Sequence, residues 1–275
     1  LLLDINENGI NDVILDLQEQ NGVVIVPLIK DIRDWHGVAG VFDTYRPDVV
    51  YHAAAHKHVP LMEYNPEEAI KNNCWGTFNV AEAANQYKAK RFVLVSTDKA
   101  VNPTSIMGAS KRIAEMIIQY LNQVSQTRYV GVRFGNVLGS AGSVVPLFKR
   151  QIAQGGPVTV THEDMVRYFM TIPEAVQLII QAGAFAHDGE IFVLDMGEPV
   201  RIIDLAQTLI RLSGFEVEDI GIVITGLRPG EKMYEELLTT EEVRKNPTQH
   251  ERIFIAPPTT VDQETIAQII AELKA

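Results

Sequence analysis

The sequence predicts an α/β fold, in which a parallel sheet carries helices and a smaller part is appended. Patterns typical of strands and of helices alternate along the chain, and 275 residues can bury a large core. The clearest strand is the apolar run 92–96, which ends abruptly at Thr97, Asp98 and Lys99. Because parallel sheets bind ligands at the carboxyl ends of their strands, this hydroxyl, carboxylate and amine are predicted to lie in a crevice.

The elements before this strand follow the same alternation. We expect strands at residues 1–3, 23–28 and 48–52, the second of them buried, and helices at residues 10–19 and 67–88. Strand 48–52 runs into Ala53, Ala54 and Ala55. Side chains without bulk at a strand tip allow a backbone to approach a diphosphate, so these alanines suit the floor of a cofactor site.

A turn at Asn102 and Pro103 separates the central strand from a helix that begins near Ser105. Met107 and Lys111 are four residues apart and therefore share one face of its first turns. Later elements are shorter: a strand at 129–134 with a glycine-rich exit, a helix at 143–153, strands at 157–161, 192–195 and 222–224, and helices at 173–186 and 202–213. The loop 227–232 is predicted to precede another helix.

Composition excludes several classes of protein. The net charge of -11 argues against a nucleic-acid partner, and the single cysteine, Cys74, excludes an intrachain disulfide. No apolar run approaches the roughly 20 residues that cross a bilayer. Leu1 begins what looks like the end of a strand with no methionine before it, so we expect residues upstream.

The stretch STDKAVNPTSIMGASKR resembles the nucleotide-sugar 4,6-dehydratases of polysaccharide biosynthesis, a branch of the extended short-chain dehydrogenases/reductases. In that superfamily the helix carries Tyr-x-x-x-Lys, and here Met107 stands in the tyrosine position before Lys111. The resemblance implies a Rossmann-like doubly wound sheet whose first strand and glycine-rich loop lie upstream of Leu1. It implies an NAD-binding domain at 1–138 plus 171–196 and a nucleotide-sugar domain at 139–170 plus 197–275.

The resemblance also implies sites for NAD and for a UDP-sugar. The residues implied on the cofactor side are Asp4 at the ribose, Asp31 and Ile32 at the adenine, the floor Ala53, Ala54 and Ala55, the loop residue Lys57, Asn73 as a brace, and Lys111 at the nicotinamide ribose. Those implied on the substrate side are His58, Asn136, Arg167, Arg228 and Glu231. Taken singly, Asp4 can instead cap a turn and each arginine can form a surface salt bridge.

The implied chemistry is an internal redox cycle on UDP-N-acetylglucosamine, in which hydride leaves C4, water is lost across C5 and C6, and hydride returns to C6. Thr97 is expected to bind the C4 oxygen, Asp98 to protonate the C6 hydroxyl and Lys99 to take the C5 proton. A lysine base must be neutral, and positive charge from Lys111 and the oxidised nicotinamide is expected to lower the pKa of Lys99.

Two other functions stay open. A sugar epimerase would share the cofactor and substrate class but would carry tyrosine where Met107 stands, and it has no use for an acid and base at Asp98 and Lys99. A scaffold or redox sensor could keep the fold without catalysis, since methionine cannot accept a proton. A metal site at His52, His56 and His58 lacks residues that complete a ligand set. We also expect a homo-oligomer, with the parent protein membrane-anchored through an upstream region.

Overall fold

Strands and helices alternate over the first half of the chain and then become shorter. The structure, a computed structural model, describes residues 1–17, 22–238, 246–256 and 263–274. The strands are β1 (Leu2–Asp4), β2 (Pro27–Ile29), β3 (Val49–His52), β4 (Arg91–Val95), β5 (Arg128–Arg133), β6 (Asn136–Val137), β7 (Val158–Val160), β8 (Val166–Arg167), β9 (Phe169–Met170), β10 (Ile191–Leu194), β11 (Val200–Arg201), β12 (Ile222–Ile224), β13 (Asn246–Pro247) and β14 (Ile253–Ile255). The helices are α1 (Glu7–Leu17), α2 (Trp35–Tyr45), α3 (Val59–Tyr64), α4 (Pro66–Ala69), α5 (Thr77–Gln86), α6 (Ile106–Val124), α7 (Val144–Ala153), α8 (Ile172–Ala184), α9 (Ile202–Leu212), α10 (Val217–Ile220) and α11 (Gln263–Lys274).

A six-stranded sheet forms the centre of the fold, and its strand order is β13-β14-β10-β5-β4-β3. Strands β3, β4, β5 and β10 run parallel, while β14 and β13 add an antiparallel edge. β1 and β2 form a separate parallel pair. The predicted α/β fold with a mainly parallel sheet is confirmed.

Alternate residues of β4 point to opposite faces of the sheet and thereby join two separate cores. Phe92 and Leu94 pack in the cluster that includes residues of α5 and α6, whereas Val93 packs in the cluster formed with α8. Since all three side chains are fully buried, β4 is covered on both faces. Its polar continuation can therefore reach solvent only at its carboxyl end.

The predicted helix 67–88 exists but is not uniform. Between α4 and α5 the backbone forms a π-helical segment, Ile70–Gly76, and Asn73 lies in its middle. The Asn73 amide donates to the carbonyl of His56 (3.0 Å) and to Oγ of Ser110 (2.9 Å), and its Oδ1 accepts the His56 N–H. Asn73 is thus a brace, as predicted, although it holds a loop and α6 rather than the strand itself.

Two sequence predictions are corrected by the structure. The strand predicted at 23–28 is confined to β2 and is not buried: among the described strands β2 pairs with β1 alone, and Val24 is 87% exposed. The helix predicted after Lys232 is absent as far as Leu238, where the described chain forms turns and bends. The helix predicted at 10–19 is α1, and the last two predicted positions lie outside the described residues.

A smaller part packs beside the sheet around its own apolar cluster, which joins α7, α9 and α10 to β7. The predicted division of the chain stays a prediction, but three elements within 197–275 lie with the main sheet. β13 and β14 extend the sheet, and Ile266 and Ile270 of α11 pack in the α5/α6 core. Within the described residues, no helix has the length and apolarity to cross a membrane.

Candidate active site

The end of β4 turns back immediately after its last residue, and this turn presents the predicted catalytic side chains. Thr97 is extended and caps a 3₁₀ turn at Asp98–Ala100, its Oγ1 accepting the Lys99 N–H at 3.3 Å. The Asp98 N–H donates to the carbonyl of Phe134, just beyond β5. The turn is thereby tied to the neighbouring strand.

Asp98 and Lys99 form an ion pair at this turn. Nζ of Lys99 lies 2.9 Å from Oδ1 of Asp98, which also accepts a hydrogen bond from Oγ1 of Thr97 at 2.9 Å. The Asp98 side chain is fully buried, whereas that of Lys99 is 22% exposed and reaches Oδ1 of Asn136 at 3.4 Å. The side chains of Thr97, Asp98 and Lys99 therefore lie together. The Lys99 amine is partly exposed, and the Asp98 carboxylate is buried beneath it.

A further charged side chain, which the sequence did not reveal, completes this cluster. Oε1 of Glu235 lies 3.6 Å from Nζ of Lys99 and 3.6 Å from Nε of Arg167. Its side chain is almost fully buried. The sequence shows two adjacent carboxylates, Glu235 and Glu236, after the loop 227–232. The helix predicted there gives no reason to place Glu235 beside Lys99.

The protonation of Lys99 differs from the sequence prediction. Burial lowers the pKa of Lys99, but the attraction of Asp98 and Glu235 outweighs it, so that the pKa lies above its ordinary value. The cation that acts against this is Arg167 rather than Lys111. The expectation of a neutral Lys99 is thus wrong for this state, in which the amine is an ammonium between two carboxylates.

Helix α6 begins directly against this turn. Oγ of Ser105 accepts the Gly108 N–H at 3.1 Å and caps the helix, and a side chain at Gly108 would collide with the backbone carbonyl of Lys99. Glycine therefore lets the helix approach the turn. Met107 is 2% exposed and packs with Met62 and other apolar residues, so its side chain fills space.

Lys111 lies one turn further along α6 and is also buried. Its Nζ donates to the carbonyl of Val95, the last residue of β4, at 2.8 Å. Burial lowers the pKa of Lys111 to about 8, against the opposing attraction of Glu115. The amine therefore lies at the strand tip, with one of its donors occupied by the backbone.

A buried ion network supports the strand beneath the turn. Glu115 of α6 accepts hydrogen bonds from Oγ of Ser96 (2.6 Å), from Nε of Arg133 (2.8 Å) and from Nη1 of Arg112 (2.9 Å). Arg133 and Glu115 are both fully buried. The network links α6 to β5 and to the residue before Thr97, and no sequence pattern pointed to it.

A cleft of about 340 Å³ opens in front of Lys99, between the strand ends and the smaller part. All five predicted substrate residues line it: His58, Asn136, Arg167, Arg228 and Glu231. Lys57 and Glu235 line it too, whereas Asp98 lies behind its wall. The structure therefore brings together residues that lie far apart in the sequence.

The two predicted arginines differ in what their guanidinium groups do. Arg167 is buried and donates to the backbone carbonyls of Val166, Lys232 and Met233 at 2.6–3.0 Å. Arg228 has a side chain 55% exposed and pairs with Glu231 at 3.0 Å. Arg167 holds the loop, so Arg228 is the better placed of the two to meet an anion.

Four of the residues predicted to bind the cofactor lie just after strands β2 and β3. Ala54 and Ala55 are half-buried and Ala53 is exposed at the tip of β3. Asp31 is held by Arg33 through two short contacts, which lowers the pKa of Asp31. Side chains without bulk at this strand tip fit the backbone approach that a dinucleotide diphosphate needs.

Two predicted cofactor residues have structural partners of their own. Asp4 is exposed and its Oδ1 accepts the N–H of Asn6 at 2.8 Å, which is the turn contact noted as the alternative. Ile32 is buried, and the fully buried Asn79 fixes the loop by donating to its carbonyl at 3.0 Å. Asn79 was not singled out from the sequence.

Among the described residues no group of three His, Cys, Asp or Glu side chains is placed to hold a metal ion. His52 is buried and its Nε2 lies 2.9 Å from Oγ1 of Thr77. Burial, with a further effect of Lys111, lowers the pKa of His52 to about 3. The histidine is therefore neutral and has a structural partner.

Comparison with known proteins extends over most of the chain. A family model described as polysaccharide biosynthesis protein matches residues 1–258. The capsular polysaccharide biosynthesis protein CapD of Staphylococcus aureus is 58% identical over 258 residues, covering 92% of this chain and 43% of CapD. The chain thus spans less than half the length of that relative. An inverting UDP-N-acetylglucosamine 4,6-dehydratase of Campylobacter jejuni is 35% identical over 78% of this chain and 62% of its own length. A UDP-glucose 4-epimerase of Rickettsia bellii is 37% identical over 79% of this chain and 63% of its own length.

Solved structures share the fold. Pen from Bacillus thuringiensis superimposes with a TM-score of 0.84 at 36% identity, covering 98% of this chain and 89% of Pen. The dTDP-glucose 4,6-dehydratase DesIV of Streptomyces venezuelae, solved with NAD bound, gives a TM-score of 0.72 at 20% identity, covering 81% of this chain and 74% of DesIV.

Proposed function

We propose, from the premise that the chain belongs to the polysaccharide biosynthesis protein family of the short-chain dehydrogenases/reductases, that it catalyses NAD-dependent 4,6-dehydration of a UDP-N-acetylhexosamine. The substrate we favour is UDP-N-acetylglucosamine, in line with the Campylobacter relative. The relatives support the broader class to which this activity belongs, the nucleotide-sugar dehydratases and epimerases of polysaccharide biosynthesis. The predicted homo-oligomer and upstream membrane anchor stay predictions.

One observation carries this proposal: the contact of Asp98 with Lys99 beside the cleft, which Lys99 lines and behind which Asp98 is buried. Dehydration needs an acid for the C6 hydroxyl and a base for the C5 proton, and these two side chains supply both in one place. A 4-epimerase removes and returns only the C4 hydride and needs no such pair. Met107, packed in an apolar cluster, offers no proton in the tyrosine position.

The hydrogen bonds of the turn suggest how the protons move. When hydride leaves C4, the C4 hydroxyl proton can pass to Oγ1 of Thr97 while Thr97 passes its own proton to Oδ1 of Asp98. Asp98 then holds the proton that the departing C6 hydroxyl needs. Lys99, once neutral, takes the C5 proton, the electrons of that bond form the C5–C6 double bond, and water leaves from C6.

We propose that Ala53, Ala54 and Ala55 would hold NAD together with Lys111, which would bind the nicotinamide ribose. When bound, NAD⁺ supplies the redox chemistry by accepting the C4 hydride and returning it to C6. Lys111 positions the reacting end through its fixed amine at the tip of β4. Asp31 and Ile32 would hold the adenosine end. The NAD seen in DesIV accords with this cofactor class.

The substrate would lie in the cleft with its sugar toward Lys99 and its diphosphate toward Arg228. His58 and Lys57 also line the cleft, and the charges of Lys57 and Arg228 both act on His58. Burial, followed by these two cations, lowers the pKa of His58, which an anion in the cleft would reverse. This concentration of positive charge suits a nucleoside diphosphate.

The test is to incubate the full-length protein with NAD⁺ and UDP-N-acetylglucosamine and to follow the products by NMR. A 4-keto-6-deoxy sugar nucleotide is expected. Formation of the C4 epimer instead would support the second candidate, which the Rickettsia relative favours. If both ligands bind and no product forms, the remaining interpretation is a non-catalytic scaffold.

A further inference from the structure

Glu235 approaches the Asp98–Lys99 pair from a segment outside the main sheet. It follows the loop 227–232, which is held against the turn because Nζ of Lys232 donates to the carbonyl of Val101 at 2.8 Å. Arg167 fixes the same segment through the carbonyls of Lys232 and Met233. The position of Glu235 is therefore set by several contacts.

The Glu235 carboxylate is incompletely satisfied. Oε1 lies 3.6 Å from both Nζ of Lys99 and Nε of Arg167, and Oε2 has no hydrogen-bond partner among the described residues. Oδ2 of Asp98 is likewise buried without such a partner in the described chain. Two buried carboxylates therefore share one ammonium group, and such sites favour uptake of a proton.

The charged groups that act on Glu235 are Lys99, Asp98, Arg167 and Lys232. Glu231 lies beyond Arg167, with its Oε1 3.8 Å from Nη2 of Arg167. Burial raises the pKa of Glu235 above its ordinary value, and Asp98 adds to this against the three cations. Glu235 also lines the cleft, whereas Asp98 does not. A proton can thus be held at Glu235 when its neighbours change charge.

We propose that Glu235 is a positioning residue that acts through Lys99 and makes this amine available as a base by taking up its proton. The inference rests on the dehydratase function proposed above. In the step, an N–H bond of Lys99 breaks and an O–H bond forms on Oε1 of Glu235, which leaves a neutral amine and a neutral carboxylic acid. The total charge of the cluster does not change.

This transfer closes the proton balance of a turnover. Once Thr97 has taken the C4 hydroxyl proton and passed its own to Asp98, Asp98 no longer holds the ammonium of Lys99, and Glu235 accepts the proton of that amine. Lys99 then takes the C5 proton while Asp98 gives its own to the departing water. When Lys99 returns a proton to C5 and Glu235 returns its proton to Lys99, the resting ion pairs are restored without an acid or base from solvent.

The first test needs no substrate and measures Lys99 directly. The full chain is labelled with [ε-¹³C]lysine, the Lys99 signal is assigned by its loss in Lys99→Met, and its titration is followed by NMR. Glu235→Gln should lower the pKa of Lys99, because a carboxylate that raises it is removed. Glu236→Gln, a change at the neighbouring carboxylate that faces Lys232 and Asn102, should not. An unchanged Lys99 titration in Glu235→Gln would overturn the proposal.

The second test is the pH profile of kcat. Glu235→Gln must release the Lys99 proton to solvent, so its rate should fall about 100-fold at pH 7 and then rise about tenfold per pH unit toward alkaline pH. Glu235→Asp, which keeps a carboxylate, should restore the wild-type shape of the profile at a reduced rate, and Glu236→Gln should keep that shape. A loss in Glu235→Gln that is equal at every pH would mean a merely structural role and would overturn the proposal.

The two tests also separate this inference from the proposed function. If the wild-type chain yields no 4-keto-6-deoxy product, the dehydratase function fails. The Lys99 titration still decides whether Glu235 controls that amine. If the wild-type chain is active and neither the titration nor the pH profile responds to Glu235→Gln, the inference fails while the function stands.

Discussion

Nζ of Lys99 lies 2.9 Å from Oδ1 of Asp98, and the two side chains come from adjacent residues at a strand end. Adjacent residues in a strand point to opposite faces, so the 3₁₀ turn at Asp98–Ala100 is what allows this contact. Asp98 is buried by the turn and Lys99 faces the cleft. The proposed base, which lines the cleft, and the proposed acid, which is linked to Thr97, thus come from one local bend.

Removing either member of the pair should abolish dehydration and leave binding intact. Lys99→Met and Asp98→Asn should each lower kcat by about 10²–10⁴-fold, because each removes a proton-transfer group. Calorimetry should show little change in affinity for NAD⁺ and for the UDP-sugar. Lys90→Met, at an exposed lysine before the same strand, is the control and should keep wild-type activity. Wild-type turnover in either active-site variant would remove that residue from the mechanism.

Met107 should matter far less than Lys99. Leucine has a similar volume and can fill the same apolar cluster, so Met107→Leu should cost less than about 1.5 kcal/mol of stability and retain most activity. Steady-state kinetics and thermal unfolding measure the two effects. A loss as large as that of Lys99→Met would mean that the sulfur takes part in the reaction.

Gly108 should be intolerant of any side chain. The Cβ of Gly108→Ala would collide with the carbonyl of Lys99 and stand 3.1 Å from Oγ of Ser105, so the turn or the helix must move. We expect a loss of about 1–3 kcal/mol in unfolding free energy and a lower kcat through displacement of Lys99.

Gly40→Ala provides the matched control for this prediction. Gly40 lies in α2 with no atom within 4 Å of the added Cβ, and alanine is the better helix former by about 0.5–1 kcal/mol. It should be neutral or stabilising in chemical denaturation. Equal effects of the two changes would contradict the packing argument.

The buried carboxylate of Glu115 should stabilise the fold in a pH-dependent way. Burial alone would raise the pKa of Glu115, but Arg133 and Arg112 lower it below its ordinary value. The stabilisation is therefore fully present above the unfolded-state pKa and is lost as pH falls through the lower folded-state pKa. Glu115→Gln should cost about 3–5 kcal/mol at pH 7 and less as the pH falls through this range.

Urea unfolding at several pH values measures this difference. The control is Glu272→Gln on the exposed side of α11, which should change stability by less than about 0.5 kcal/mol at any pH. A cost at Glu115 that is independent of pH would show that the ionised carboxylate is not the source of the effect.

Much of this architecture could be predicted because it depends on local patterns. The apolar run before Thr97 and the four-residue spacing of Met107 and Lys111 specify a buried strand and a helix face, and both lie as expected. Contacts between segments that are far apart in the sequence leave no such local pattern. Glu235 meets Lys99 through a segment without regular structure, and the ordinary helix pattern around Asn73 does not signal a π-helical segment.

The charge of Lys99 was mispredicted for a related reason. Sequence proximity suggested Lys111 as the neighbour that sets the pKa of Lys99, but α6 directs Lys111 to the carbonyl of Val95. Two carboxylates contact Lys99 instead, one of them from a distant segment. The balance of these charges depends on tertiary packing and could not be read from spacing.

The central claim is an internal hydride transfer coupled to proton exchange at C5, and one isotope experiment tests it. UDP-N-acetylglucosamine labelled with deuterium at C4 is converted in ordinary water, and the unlabelled sugar is converted in deuterated water. The account predicts that the C4 deuterium appears at C6 of the same molecule in the first reaction and that solvent deuterium appears at C5 in the second. Loss of the C4 label to solvent, or solvent deuterium at C6 with none at C5, would contradict it.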